Sequence, residues 1–132
     1  YQYALITVGQ IESPSLRIKL FDLVVEAGFI LPSVVSPNAY ISPHASIDNG
    51  VAIMHNAIIN ANTIIGDNCI INSKALIEHD CQIFEHCHIS TNATINGGVI
   101  VESGSFVGSG VITKELIIIS KGSFIKAGSL VT

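Results

Sequence analysis

The sequence is poor in charge and in aromatic side chains, and it contains no tryptophan. Charged residues make up 12% of the 132 positions, and the formal net charge at pH 7 is −4. A surface that binds nucleic-acid phosphates needs clustered Lys and Arg, so we expect no nucleic-acid partner. No apolar run approaches the roughly 18 residues of a membrane span, so we expect no transmembrane segment. We also recognise no signal-peptide pattern.

Cysteine is also scarce, with only Cys69, Cys81 and Cys87 in the chain. Three cysteines are too few, and too odd in number, for a disulfide framework. We therefore expect a cytoplasmic protein. The chain opens with Tyr1 rather than Met, inside an apolar segment, and we expect its natural ends to lie outside it.

Branched aliphatic residues are abundant, with 23 Ile and 11 Val, and they follow a period of six. Counting every sixth residue from Val35 to Val131 gives 17 positions, and 16 of them are Ile or Val. We call these the large positions; Thr113 is the exception. Ile and Val fill only about a quarter of the chain, so chance does not produce such a run.

Small residues follow the same period two places earlier, at what we call the small positions. Apart from Ile117, these positions hold Ala, Cys, Ser, Thr or Val. Residues i−2 and i share one face of a strand, so each hexad offers one large and one small inward side chain. Three hexads form one triangular coil, and coils must stack to bury these side chains. The sequence predicts a mainly β fold, a parallel β-helix, with the three cysteines in its core.

Residues 1–34 do not follow this period. "YALITV" predicts a short buried strand, and the segment after it predicts a helix with Ser13 as N-cap, Pro14 at the first helical position and Gly28 as the stop. We interpret residues 1–34 as the last β-α unit of an α/β domain with a connector, and residues 35–132 as the β-helix domain. The expected apolar face of the helix is Leu16, Leu20, Leu23 and Ala27.

All five histidines fall outside the large and small positions, so we expect them at corners or on outward faces. His79 lies between Glu78 and Asp80, and a carboxylate bonded to one ring nitrogen would raise the basicity of the other. Gly97 is one coil further on and should lie over His79, with its amide open to an oxyanion. His88 is half a coil from His79, so the two could meet only across an interface between chains.

For the remaining histidines we expect solvated positions without a catalytic role. His44 and His55 are expected on the solvated surface, and His86 in a solvated turn.

The β-helices of the gamma-class carbonic anhydrase type bind a metal between chains with three histidines. Here the position of the third ligand is Phe84, so we expect no metal, although a metal-dependent hydrolyase on the same fold stays an alternative. A non-catalytic β-helix scaffold is another alternative. Ice-binding β-helices carry a flat ladder of threonines on one outward face, and the threonines of this chain form no such ladder.

The sequence resembles a known family. Hexads with Gly66 and Gly108 after a large position resemble the hexapeptide-repeat acyltransferases, which form left-handed β-helices and trimerise. "LRIKLFDLVVEAGF", "SPNAYISPHASI" and "NCIINSKALIEHDCQIFEHCHIS" are similar to sugar acetyltransferases of bacterial surface-glycan synthesis, namely sialic-acid O-acetyltransferases and bacillosamine-type N-acetyltransferases. The shared pattern is Asn-x6-His-[Asp/Glu]-x7-His, here Asn72, His79, Asp80 and His88.

This resemblance implies acetyl transfer from acetyl-CoA to an amine or hydroxyl of a nucleotide-linked amino sugar or a sialic-acid-like sugar. His79 would be the general base, Asp80 would orient it, and Asn72 would help to hold the acceptor. His88 and Gly97 would meet the thioester. Direct attack needs neither an acyl-enzyme nor a metal.

The resemblance also places the pantetheine arm of acetyl-CoA in a groove between chains, past Gly108 and Ala127. It implies a homotrimer with active sites between chains. The sequence supplies a reason for assembly, because numerous apolar residues precede large positions and should face outward. They include Ile58, Ile64, Ile70, Leu76, Ile100 and Ile118, of which Ile64, Ile100 and Ile118 are separated by whole coils and should form one exposed stripe.

Overall fold

The computed structural model describes residues 1–132, and residues 34–131 form a regular stack of short strands. Every strand has two residues, and the second is always a large position. The strands are β1 Val34–Val35, β2 Tyr40–Ile41, β3 Ser46–Ile47, β4 Ala52–Ile53, β5 Ile58–Ile59, β6 Ile64–Ile65, β7 Ile70–Ile71, β8 Leu76–Ile77, β9 Gln82–Ile83, β10 His88–Ile89, β11 Thr94–Ile95, β12 Ile100–Val101, β13 Phe106–Val107, β14 Ile112–Thr113, β15 Ile118–Ile119, β16 Phe124–Ile125 and β17 Leu130–Val131.

Every third strand pairs in parallel, which gives three sheets. We call β1-β4-β7-β10-β13-β16 the first face, β2-β5-β8-β11-β14-β17 the second and β3-β6-β9-β12-β15 the third. The register is three hexads, since His88 pairs with Ile70 below it and with Phe106 above it. The predicted triangular coil and parallel β-helix are confirmed, in a form consistent with a left-handed β-helix.

The core holds the large and small positions. Ile side chains from Ile53 to Ile95 stack without a break and are fully buried, and Cys69, Cys81 and Cys87 are buried among them. Burial raises the pKa of the Cys69 and Cys81 thiols, which keeps both neutral. The cysteines therefore act as small apolar core residues, as predicted.

From Gly50 onwards, each corner between two faces contains a residue in the left-handed backbone region, three places after a large position. This conformation recurs at fourteen successive corners from Gly50 to Gly128, with φ between 57° and 72°. Glycine, asparagine and aspartate accept it readily, and they occupy most of these corners. Leu116, with φ of 61°, is the one apolar side chain among them.

The N-terminal segment has one helix, α1, over Ser15–Glu26. The predicted N-cap is wrong by one residue, since Pro14 rather than Ser13 occupies it, although the Ser13 hydroxyl does accept the Ser15 N–H at 3.2 Å. Gly28, with φ of 84°, ends the helix as predicted. The predicted buried strand before it is wrong, since only Tyr3 forms a parallel bridge, to Ile30, and most of residues 1–9 are exposed. Helix α1 is shorter and less apolar than a membrane crossing requires.

Helix α1 packs on the β-helix through an unexpected face. Leu16 and Leu23, predicted to be apolar anchors, are more than half exposed, whereas Arg17 is buried. The Arg17 guanidinium donates to the Val8 carbonyl at 2.7 Å and, at 3.4 Å, to the Asn68 carbonyl. A charged side chain thus joins the N-terminal segment to a corner of the stack, because its donors satisfy backbone carbonyls on both sides.

The outward apolar residues divide into two groups. Ile64 and Ile118 on the third face are exposed, with the partly buried Ile100 between them, so the predicted stripe exists, interrupted by Gln82. Ile70 on the first face is instead buried. Ile70 thus occupies an outward strand position, as predicted, but it is covered rather than exposed.

Candidate active site

His79 and Asp80 occupy one corner between the second and third faces. They follow strand β8 and precede β9, where the chain turns through the left-handed residue Asp80, with φ of 60°. The hexad thus places the two side chains side by side on a solvent-exposed edge. Their side chains are 65% and 58% exposed.

The two side chains form a hydrogen-bonded pair. His79 Nδ1 lies 2.8 Å from Asp80 Oδ2. This bond, and a second from Asn62, lower the pKa of Asp80, so its carboxylate is charged at neutral pH. A charged carboxylate accepts only, so Nδ1 carries a proton, and in the neutral form of the ring Nε2 then has the lone pair. Glu78 does not compete, because its carboxylate accepts from the Asn60 amide at 2.8 Å.

Gly97 lies against the His79 ring, one coil above it. A Cβ added at Gly97 would come within 2.9 Å of both Cε1 and Nε2 of His79. Its N–H donates to no carbonyl of the chain. The absence of a side chain therefore leaves room for the ring and an open backbone donor close to the basic nitrogen.

An open depression of about 590 Å³ surrounds this pair. Its walls include Glu78, Asn96, Gly98, Glu115 and Leu116. Leu116 is 78% exposed and extends across Gly98, where a side chain would collide with it. Sequence reasoning missed Leu116, although it is the one apolar residue among the left-handed corners.

Asn72 and His88 meet at a different edge, between the first and second faces. Asn72 Nδ2 lies 3.1 Å from His88 Nε2, and the Asn72 Oδ1 atom accepts the Ser73 N–H at 2.8 Å. The His88 Nδ1 atom donates to the Gln10 carbonyl. The ring also packs edge-on against Phe106.

Two predictions about the histidines are wrong. His88 points outward from the coil but is only 7% exposed, because the N-terminal segment covers it at Gln10. His86 is half-buried rather than solvated, since Phe21 of α1 packs on it and Asn68 Nδ2 lies 3.0 Å from its Nδ1. Burial lowers the pKa of both histidines, so both are neutral.

Gly108 and Ala127 lie on the same edge as Asn72. A Cβ at Gly108 would come within 2.6 Å of the Ala127 nitrogen and 2.7 Å of the Ile125 carbonyl oxygen. Gly108 is therefore needed for close packing of the last two coils. Any contact of this edge with a coenzyme would come in addition to that structural role.

The candidate residues thus form two groups within one chain. His79, Asp80 and Gly97 lie at the edge between the second and third faces, while Asn72, His88, Gly108 and Ala127 lie at the edge between the first and second. The second face separates them. No group of three His, Cys, Asp or Glu side chains is placed to hold a metal ion.

Residues 44–79 match the model of the bacterial transferase hexapeptide (six repeats). The chain thus contains hexapeptide repeats similar to those of that transferase family. Its structure superposes with a TM-score of 0.90 on a histidine-to-asparagine variant of perosamine N-acetyltransferase from Caulobacter crescentus in complex with CoA and GDP-perosamine, at 34% identity over 92% of this chain and 58% of that one.

Two further solved structures are similar to this chain. The acetyltransferase domain of PglB from Neisseria gonorrhoeae, in complex with acetyl coenzyme A, has a TM-score of 0.90, 27% identity, and coverage of 92% of this hexapeptide-repeat chain and 60% of its own. WeeI from Acinetobacter baumannii has a TM-score of 0.87 at the same identity and coverage. The predicted resemblance to hexapeptide-repeat sugar acetyltransferases is confirmed.

This hexapeptide-repeat chain spans about three fifths of the length of those structures. Among curated proteins, none matches it by sequence.

Proposed function

We propose that this chain is the acetyl-transfer part of an acetyl-CoA-dependent enzyme that acetylates a sugar, with His79 as the general base. The observation that carries the proposal is the His79 corner itself. Nδ1 is held by the Asp80 carboxylate, while Nε2 is free beside a glycine in an open depression. A fixed, basic nitrogen next to space for a substrate is what general-base catalysis requires.

The proposed acceptor is an amino sugar linked to a nucleotide. Support comes from the structural relatives, one of which is an N-acetyltransferase bound to CoA and a GDP-linked amino sugar. A sugar hydroxyl, as on a sialic-acid-like sugar, is the alternative acceptor. Residues 1–34 would be the end of a preceding acceptor-binding α/β domain, in keeping with the parallel bridge from Tyr3 to Ile30 across α1.

In the proposed reaction, the sugar amine attacks the thioester carbonyl of acetyl-CoA and forms the C–N bond directly. His79 Nε2 takes the proton that the amine loses, and the nearby Asp80 carboxylate stabilises the resulting imidazolium. The Gly97 N–H would stabilise the oxyanion. The C–S bond then breaks, and the imidazolium returns its proton to the departing sulfur, so the products are an amide and CoA.

The proposed active unit is a homotrimer with sites between chains. Two observations support it. Ile64 and Ile118 leave an apolar stripe on the third face without a partner. Within one chain, His79 is also separated by a whole face from Asn72 and His88, so only a second chain can complete the site, with the pantetheine arm passing Gly108 and Ala127.

The first test measures thiol release from acetyl-CoA by the full-length protein, with nucleotide-linked 4-amino sugars and with free or nucleotide-linked sialic-acid-like sugars. His79→Ala should lower kcat by about 10²-fold or more, the usual reach of a general base. His44→Ala, at another exposed corner, is the matched control. Unchanged turnover in His79→Ala would remove His79 from the role of base.

No turnover with any acceptor would overturn the proposed function as a whole. Sedimentation of the same protein at micromolar concentration tests the assembly, since a monomer would exclude a site between chains. If the protein shows no turnover and also sediments as a monomer, the fold serves a purpose other than acetyl transfer.

A further inference from the structure

A chain of hydrogen bonds runs from the N-terminal segment into the edge between the first and second faces. It begins at the Gln10 carbonyl, passes through both nitrogens of His88, continues through the Asn72 side chain and ends at the Ser73 N–H. His88 lies at its centre and is buried. The two ends are backbone groups, so their roles as acceptor and donor are fixed.

Those fixed ends determine every proton between them. The Gln10 carbonyl can only accept, so His88 Nδ1 carries a proton. The Ser73 N–H can only donate, so the atom of Asn72 that faces it is Oδ1, and the atom that faces His88 is Nδ2. Since Nδ2 only donates, His88 Nε2 must accept. His88 is thus a neutral imidazole in its Nδ1–H form.

In this form His88 has no hydrogen left to donate. A proton on Nε2 would face the Asn72 amide hydrogen and break the chain of bonds, and burial of the ring disfavours the charged form in the same direction. His88 therefore cannot stabilise a thioester oxygen as a hydrogen-bond donor. The free donor at this edge is the second N–H of Asn72, whose side chain is only half-buried.

We propose that His88 is a positioning residue that holds the Asn72 amide, and that Asn72 donates to the acyl carbonyl oxygen together with the Gly97 N–H of the adjacent chain. This inference rests on the proposed acetyl transfer and assigns roles within it that differ from those implied by the family resemblance. Gln10 makes the arrangement depend on the N-terminal segment, because its side chain also donates to the His86 carbonyl at 2.9 Å. The N-terminal segment, which belongs to the proposed acceptor-binding domain, thereby fixes the Asn72 hydrogen-bond donor at the edge that would bind the acyl group.

The tautomer can be read without turnover. In full-length protein with ¹⁵N-labelled histidine, two-bond ¹⁵N–¹H spectra at pH 7 should show His88 as the neutral Nδ1–H form, with the signal assigned by its loss in His88→Phe. An Nε2–H form or an imidazolium would overturn the proposal. This readout is independent of the acceptor, so it separates failure here from failure of the proposed function.

Kinetics test the positioning. If His88 acts only through Asn72, His88→Phe and Asn72→Ala should each lower kcat by about 10²-fold, the usual loss of one oxyanion donor. The double variant should then be no slower than either single variant, within about threefold. Multiplied losses of about 10⁴-fold would show that His88 acts independently. Melting curves of all three variants exclude misfolding, and the spectrum of unaltered protein stands whatever they show.

Discussion

The two histidines of the candidate site are held in opposite ways. His79 is exposed, and every group that holds it lies within its own corner or one coil above. His88 is buried, and it depends on a carbonyl from residue 10. Repetition alone can therefore produce the first environment. The second needs a segment from outside the repeat.

The largest expected effect comes from crowding the exposed histidine. Gly97→Ala should lower kcat by about 10²-fold, because a Cβ 2.9 Å from the ring displaces Nε2, and misplacement by about 1 Å can cost that much. The thermal midpoint should change little, since the displaced group is an exposed side chain. Gly9→Ala, where a Cβ meets nothing, is the control. Full activity in Gly97→Ala would mean that the ring position is not critical.

Loss of the N-terminal anchor should affect the other histidine instead. Arg17→Met leaves the Val8 and Asn68 carbonyls without their donor, so the free energy of unfolding should fall by about 1–3 kcal/mol. Urea unfolding measures this, with the exposed Lys19→Met on the same helix as control. If Arg17→Met altered the His79 resonances and left those of His88 unchanged, His88 would not depend on the N-terminal segment.

The buried histidines should also make stability depend on pH. Their folded-state pKa lies below the ordinary value of 6.5, so below that pH the unfolded chain binds more protons than the folded chain. The free energy of unfolding should therefore fall as the pH decreases below 6.5. His88→Gln should flatten this slope below pH 6.5. An unchanged slope would place the titration elsewhere.

The smallest effect concerns the wall of the depression. Leu116→Asn should raise the free energy of unfolding by about 1 kcal/mol, because Asn adopts the left-handed backbone at lower cost than Leu. Leu130→Asn, equally exposed but in a strand, should not be stabilising. If the more stable Leu116→Asn variant also shows a higher KM, the strain is retained for substrate contact.

Much of the structure follows from the sequence because the signal repeats. The period of three hexads placed Gly97 beside His79, and the alternation of strand residues placed the cysteines inside. The burial of His86 and His88 was not predictable, since it depends on where a non-repeating segment lies. Arg17 shows the same difficulty, because helical spacing favoured Leu16 and Leu23, while backbone carbonyls decided which face turned inward.

The uniform coil length also limits which insertions and deletions the fold can accept. Since every coil consists of three hexads, a deletion or insertion of one whole coil shifts the stack by one level and returns each side chain to its original face. An insertion of a single hexad would instead move all later side chains to the next face. The interval between His79 and His88 can therefore change only by whole coils if both edges are to survive, which restricts the lengths that homologous chains can have there.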